Sequence, residues 1–160
     1  MSGKKIEKMN INYLKKLQYI NVEHCGIRVV DLRNLSRLKS LSWNKSNCRT
    51  ILFANNTKLE RVDISRNKLT GALDLSDMKR LWNFYCDHNK ITEIYASKKL
   101  KEFNDLSCEY NNLKKLNFYN TYVERIYAKH NPTLKEVYLR DDGGADFHFD
   151  KGVKKHYKEK

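Results

Sequence analysis

Four cysteines, five histidines, ten tyrosines and an acidic turn near the C-terminus are the residues of this 160-residue chain that could do chemistry. Cys25, Cys48, Cys86 and Cys108 form no C-x-x-C pair, so neither a zinc site nor a redox motif is expected. His24, His88 and His130 fall at a single repeat position, in the column His24, Lys45, Arg66, His88, Tyr110, His130. Two strand spacings, about 10 Å, separate His88 from His130. One metal ion cannot bridge that gap. The run Asp141-Asp142-Gly143-Gly144-Ala145-Asp146 lacks the alternating oxygen ligands and terminal Glu of an EF-hand, and reads as a glycine-bearing turn. No phosphate loop, nucleophile elbow or zinc-protease motif occurs. The expectation is no enzyme, no catalytic residue, no metal and no cofactor.

What must position these side chains is a repeat. The spacing apolar-x-x-apolar-x-apolar-x-x-(Asn/Cys/Ser) recurs six times. It runs through Leu17/Ile20/Val22/Cys25, Leu38/Leu41/Trp43/Ser46, Leu59/Val62/Ile64/Asn67, Leu81/Phe84/Cys86/Asn89, Phe103/Leu106/Cys108/Asn111 and Val123/Ile126/Ala128/Asn131. Successive starts lie 21, 21, 22, 22 and 20 residues apart. A second apolar triplet follows each first one, from Ile27/Val30/Leu32 to Leu134/Val137/Leu139. A unit this short cannot bury its own apolar side; stacked on neighbours, it completes a continuous core. In the first triplet the last two apolar residues are two apart, so they point inward from a short strand. Asn67, Asn89, Asn111 and Asn131 carry both donors and an acceptor, and are expected to satisfy turn backbone as a structural ladder. Cys86 and Cys108 fall on neighbouring strands in one inward column and are expected to be reduced core thiols.

The segments Val62–Leu69, Phe84–Ile91 and Leu106–Leu113 resemble the bacterial internalin-type leucine-rich repeats, in particular the subset with 21-residue units and a cysteine ladder. The resemblance covers roughly residues 6–140. It implies an α/β-type repeat solenoid, with a parallel sheet on a concave face and a mostly irregular or short helical convex side. It also implies a binding module, in bacteria often a surface adhesin. Residues 1–16 then form a partial repeat, 17–140 six leucine-rich repeats, and 141–160 a degenerate strand with a basic C-terminal cap.

The formal charge of +13 raises nucleic acid, an anionic membrane or an acidic protein as partners. Residues 1–16 contribute +4 and residues 151–160 another +4. On the expected concave positions Lys45, Arg61, Arg66, Arg125 and Lys129 are matched by Glu23, Asp63, Asp87, Asp105 and Glu109. Mixed signs interleaved with Tyr and His suit a protein partner of unknown identity better than a nucleic-acid groove. The binding residues expected on that face are Tyr85, His88, Tyr110, Arg125, Tyr127, Lys129 and His130. A second reading is an anionic partner held by the basic termini; a third is a fragment of a bacterial adhesin. No apolar run approaches the roughly 20 residues of a membrane span. The basic start has no apolar stretch behind it, which as written suits the cytoplasm; an excised internalin-like segment would instead be secreted or at the cell surface.

Overall fold

The computed structural model describes residues 7–96, 100, 103–140 and 144–158. Residues 1–6 of the expected N-terminal partial repeat, and the acidic residues Asp141 and Asp142 with Gly143, lie outside the described residues.

The chain winds as β1 (Lys8–Asn10), β2 (Tyr19–Glu23), β3 (Val29–Asp31), β4 (Ser40–Asn44), β5 (Thr50–Leu52), β6 (Arg61–Asp63) and β7 (Thr70–Asp74). It continues through β8 (Asn83–Tyr85), β9 (Lys90–Tyr95), β10 (Phe103–Ser107), β11 (Lys115–Tyr127), β12 (Glu136–Arg140), β13 (Asp146–His148) and β14 (Lys154–Tyr157). Each coil contributes one strand to each of two faces, and every pairing is parallel. The first face is β2-β4-β6-β8-β10, then the end of β11, then β13. The second face has two parts, β1-β3-β5 and β7-β9-β11-β12-β14. The break falls at the coil that carries one extra residue, where the register shifts between Gly71 and Ala72.

This corrects the expected architecture. The described residues contain no helix, so the fold is an all-parallel β-solenoid and not an α/β leucine-rich repeat with a helical convex side. The reason lies in the second triplet. Val30/Leu32, Leu116/Phe118 and Val137/Leu139 alternate inward at period two, as a strand requires, and Val30, Ile51, Ile94 and Val137 are β-branched. The turns joining the faces are also too short to nucleate a helix, which in isolation needs about 12 residues or more. Their backbone pairs sideways with the next coil instead, as in Leu32 N–H to Leu52 O and Leu75 N–H to Tyr95 O, both 3.0 Å.

Between the faces runs one apolar core. Leu41, Trp43, Val62, Ile64, Phe84, Cys86, Leu106 and Cys108 are all buried in it from the first face. Val30, Ile51, Ile94, Leu116 and Val137 meet them from the second. The core thins at the C-terminal end, where Phe147, Phe149 and Val153 are half-buried and Lys155 Nζ lies 5.6 Å from the Phe149 ring centre. There the Lys155 ammonium sits over the face of the Phe149 ring.

Candidate functional site: an aromatic and imidazole surface beside a strained turn

The eighth position of each repeat turns the chain off the first face. His24, Lys45, Arg66, His88, Tyr110 and His130 all have positive φ, between 49° and 60°. A left-handed conformation costs an L-residue roughly 1–2 kcal/mol, so lateral bonds must hold it. They do: the N–H groups of Lys45, Arg66, His88 and Tyr110 donate to the carbonyls of Ser65, Asp87, Glu109 and Lys129 in the following coil, at 2.8–3.1 Å.

One residue later comes the amide column. Asn111 Nδ2 donates to the Cys86 and Cys108 carbonyls at 3.0 and 3.2 Å, while its Oδ1 accepts the Ile91 N–H at 2.9 Å. Asn89 and Asn131 repeat this one coil earlier and one coil later. Asn67 differs in accepting two N–H groups, of Ser46 and Cys48. Each amide thereby ties its own strand end to the coil before it.

On that scaffold, side chains at the left-handed position point outward in register. His88 stacks on Tyr110 with ring centroids 4.3 Å apart and planes at 6°, and Tyr110 stacks on His130 at 4.0 Å and 13°. The three rings form one pile across three coils, with Tyr110 45% exposed. Beside it on the first face, Tyr127 stacks on His148 at 4.9 Å. Tyr85 is 37% exposed, but Ser107 stands between it and Tyr127 in the ladder. The Tyr85 hydroxyl is harder to ionise than an ordinary phenol, first through partial burial and then through the nearby Asp105 carboxylate.

The charged residues divide differently. Arg125 forks onto Asp105, which also accepts Asn83 Nδ2 at 2.8 Å, so its charge is neutralised within the sheet. Lys129 is exposed and makes no ion pair with a described residue. Of the seven residues expected to bind, then, His88, Tyr110 and His130 are brought into contact with one another. Tyr85, Arg125 and Tyr127 lie on the adjoining sheet surface, and Lys129 follows at its edge. Sequence reasoning passed over His148, Tyr138 and His156, although Tyr138 stacks on His156 at 4.8 Å on the second face. His148 could have been found, since it occupies the same repeat position as Tyr85 and Tyr127.

The arrangement is not built for covalent chemistry. Burial raises the Cys86 and Cys108 thiols well above their ordinary range and holds Cys48 at about 11, so none supplies a thiolate near neutral pH. All four cysteines are free. Among the described residues no three of His, Cys, Asp and Glu gather where they could hold a metal ion, and no helix is long and apolar enough to cross a membrane. The described residues form a β-solenoid module.

No family model and no curated protein matches this sequence. Among solved structures it is similar to the functional domain of InlJ from Listeria monocytogenes, which includes a cysteine ladder, at 20% identity and a TM-score of 0.55. The likeness covers 92% of this chain and 38% of that one, so this chain spans well under half of its length. At such identity the likeness shows the fold alone. It corrects the expected membership of the leucine-rich-repeat family: what the two chains share is a parallel β-solenoid, and this one has no helix among its described residues to complete a leucine-rich repeat.

Proposed function

We propose that this protein is a protein-binding module whose contact surface is the ring pile His88–Tyr110–His130 together with Tyr85 and Tyr127 on the adjoining sheet. The observation that carries the reading is the pile itself. Three rings held at 4.0–4.3 Å on a hydrogen-bonded turn column lose little further freedom on binding. Aromatic anchors of this kind concentrate interface energy, and truncating the best costs about 2 kcal/mol or more. The internally paired Arg125–Asp105 and the exposed Lys129 give the patch a polar rim.

The test is affinity capture from a cell lysate with three forms of the protein, followed by mass spectrometry. Proteins retained by the wild type should be lost with Tyr110→Ala/Tyr127→Ala and kept with Lys154→Ala/Lys155→Ala. The reverse pattern would refute the reading and assign capture to the basic C-terminal segment.

A further inference from the structure

The two faces are joined by a short turn that repeats its geometry in the first four coils. The N–H groups of Leu17, Leu38, Leu59 and Leu81 each bond back three residues, to Leu14, Leu35, Asn56 and Met78, at 3.0–3.2 Å. The strands that follow are in register, Tyr19 with Ser40, Arg61 and Asn83. Residues three positions earlier therefore also form a column, and that column is Lys or Arg throughout: Lys16, Arg37, Lys58, Arg80. Lys15 and Lys79 stand one residue before it. All six are exposed, and none of their side chains pairs with a described residue.

The four turns, residues 13–19, 34–40, 55–61 and 77–83, hold eight cations, Arg61 among them at the start of a first-face strand, against two carboxylates, Glu60 and Asp77. Asp77 is already engaged by the Asn55 N–H at 3.1 Å. The cations repeat at the strand spacing, about 4.8 Å. The same edge carries the three most exposed large hydrophobic side chains among the described residues: Tyr13 at 70%, Tyr19 at 66% and Trp82 at 48%. Tyr13 with Leu14, Lys15, Lys16 and Leu17 also borders an open pocket of about 590 Å³.

A one-signed line of evenly spaced cations matches a linear polyanion better than the plane of a membrane. Exposed rings beside the line match one whose units have flat π-faces. We infer that this lateral edge binds single-stranded nucleic acid, with phosphates along Lys16, Arg37, Lys58 and Arg80 and bases against Tyr13, Tyr19 and Trp82. The site is separate from the ring pile at the far end of the first-face strands, so the two readings stand or fall independently.

Trp82 supplies the readout. The chain has two tryptophans, and Trp43 is fully buried, so emission that responds to a surface ligand comes from Trp82. Titration with an oligothymidylate of about twenty nucleotides at about 50 mM salt should quench that emission as bases stack. The slope of log affinity against log salt should be near −3, for four phosphates at about −0.7 each. Arg37→Gln/Arg80→Gln should flatten it by about 1.4. Trp82→Ala, followed by fluorescence anisotropy of a labelled oligomer, should weaken binding about tenfold, and Lys154→Gln/Lys155→Gln should leave it unchanged. The inference is overturned by any of four results: no binding at low salt; equal binding of heparin with no effect of Trp82→Ala; binding to anionic vesicles in preference to the oligomer; or loss of binding in the Lys154/Lys155 variant alone.

Discussion

The carboxylate of Asp150 accepts the backbone N–H of His130 at 3.0 Å, in the place where a carbonyl of the next coil accepts in every coil from Lys45 to Tyr110. Its second oxygen takes the Asn131 N–H at 2.9 Å. A side chain thus closes the left-handed column where the backbone ladder ends. These two bonds, that of His130 first, hold the Asp150 carboxyl below its ordinary range. Asp150→Ala should lower stability by about 1–2 kcal/mol and speed amide hydrogen exchange at His130 and Asn131 while sparing Tyr110. Unchanged exchange at both amides would show that the contact does not close the column.

The amide ladder makes a sharper demand, because its partners are buried backbone groups. Removing the side chain in Asn111→Ala strands the Ile91 N–H and takes one of two amide donors from each of the Cys86 and Cys108 carbonyls, which keep Asn89 and Asn131 respectively. An unsatisfied buried group costs about 1–3 kcal/mol, so urea denaturation should show a loss of about that size. Asn111→Asp keeps the acceptor and discards the donor, and should recover only part of that loss.

Thiol reactivity should follow burial. Cys86 and Cys108 are fully enclosed, with burial the first cause of their raised pKa values. Cys25 is half-exposed. Alkylation of the native protein should modify Cys25 first and reach Cys86 and Cys108 only on unfolding, as mass spectrometry after timed quenching would show. Labelling of all four at one rate in native buffer would contradict the inward column.

Acid should act through Asp31. Its carboxylate is buried and forks onto the Arg33 guanidinium at 2.9 and 2.7 Å, which holds its pKa near 2, below the ordinary 3.8. A carboxyl with a lowered folded-state pKa contributes its full stability above about pH 4. That contribution drains away as the pH falls from about 4 towards 2. Arg33 is half-exposed, so solvent screening limits it to about 1 kcal/mol. Thermal melts between pH 2 and 5 should show that increment in the wild type and its absence in Asp31→Asn.

What the chain determined by itself was the repeat. The spacing of Leu38, Leu41 and Trp43, restated at Leu59, Val62, Ile64 and at Leu81, Phe84, Cys86, dictates coils that bury these residues together, because none has a core of its own. The tertiary structure decided the rest. Whether the second triplet becomes a strand or a helical turn depends on lateral partners one coil away, and a 21-residue period is compatible with either. The left-handed backbone of Arg66 or Tyr110 was equally hidden, since neither residue favours it. Only the carbonyls of the following coil hold it there. The ring pile follows from that backbone, because the same turn that strains His88, Tyr110 and His130 aims their rings in register. Arg125 shows the converse: its charge was legible in the sequence, but its capture by Asp105 required two strands to meet. Position along a repeat is local information. Which neighbour completes a hydrogen bond or neutralises a charge is settled only when the coils stack.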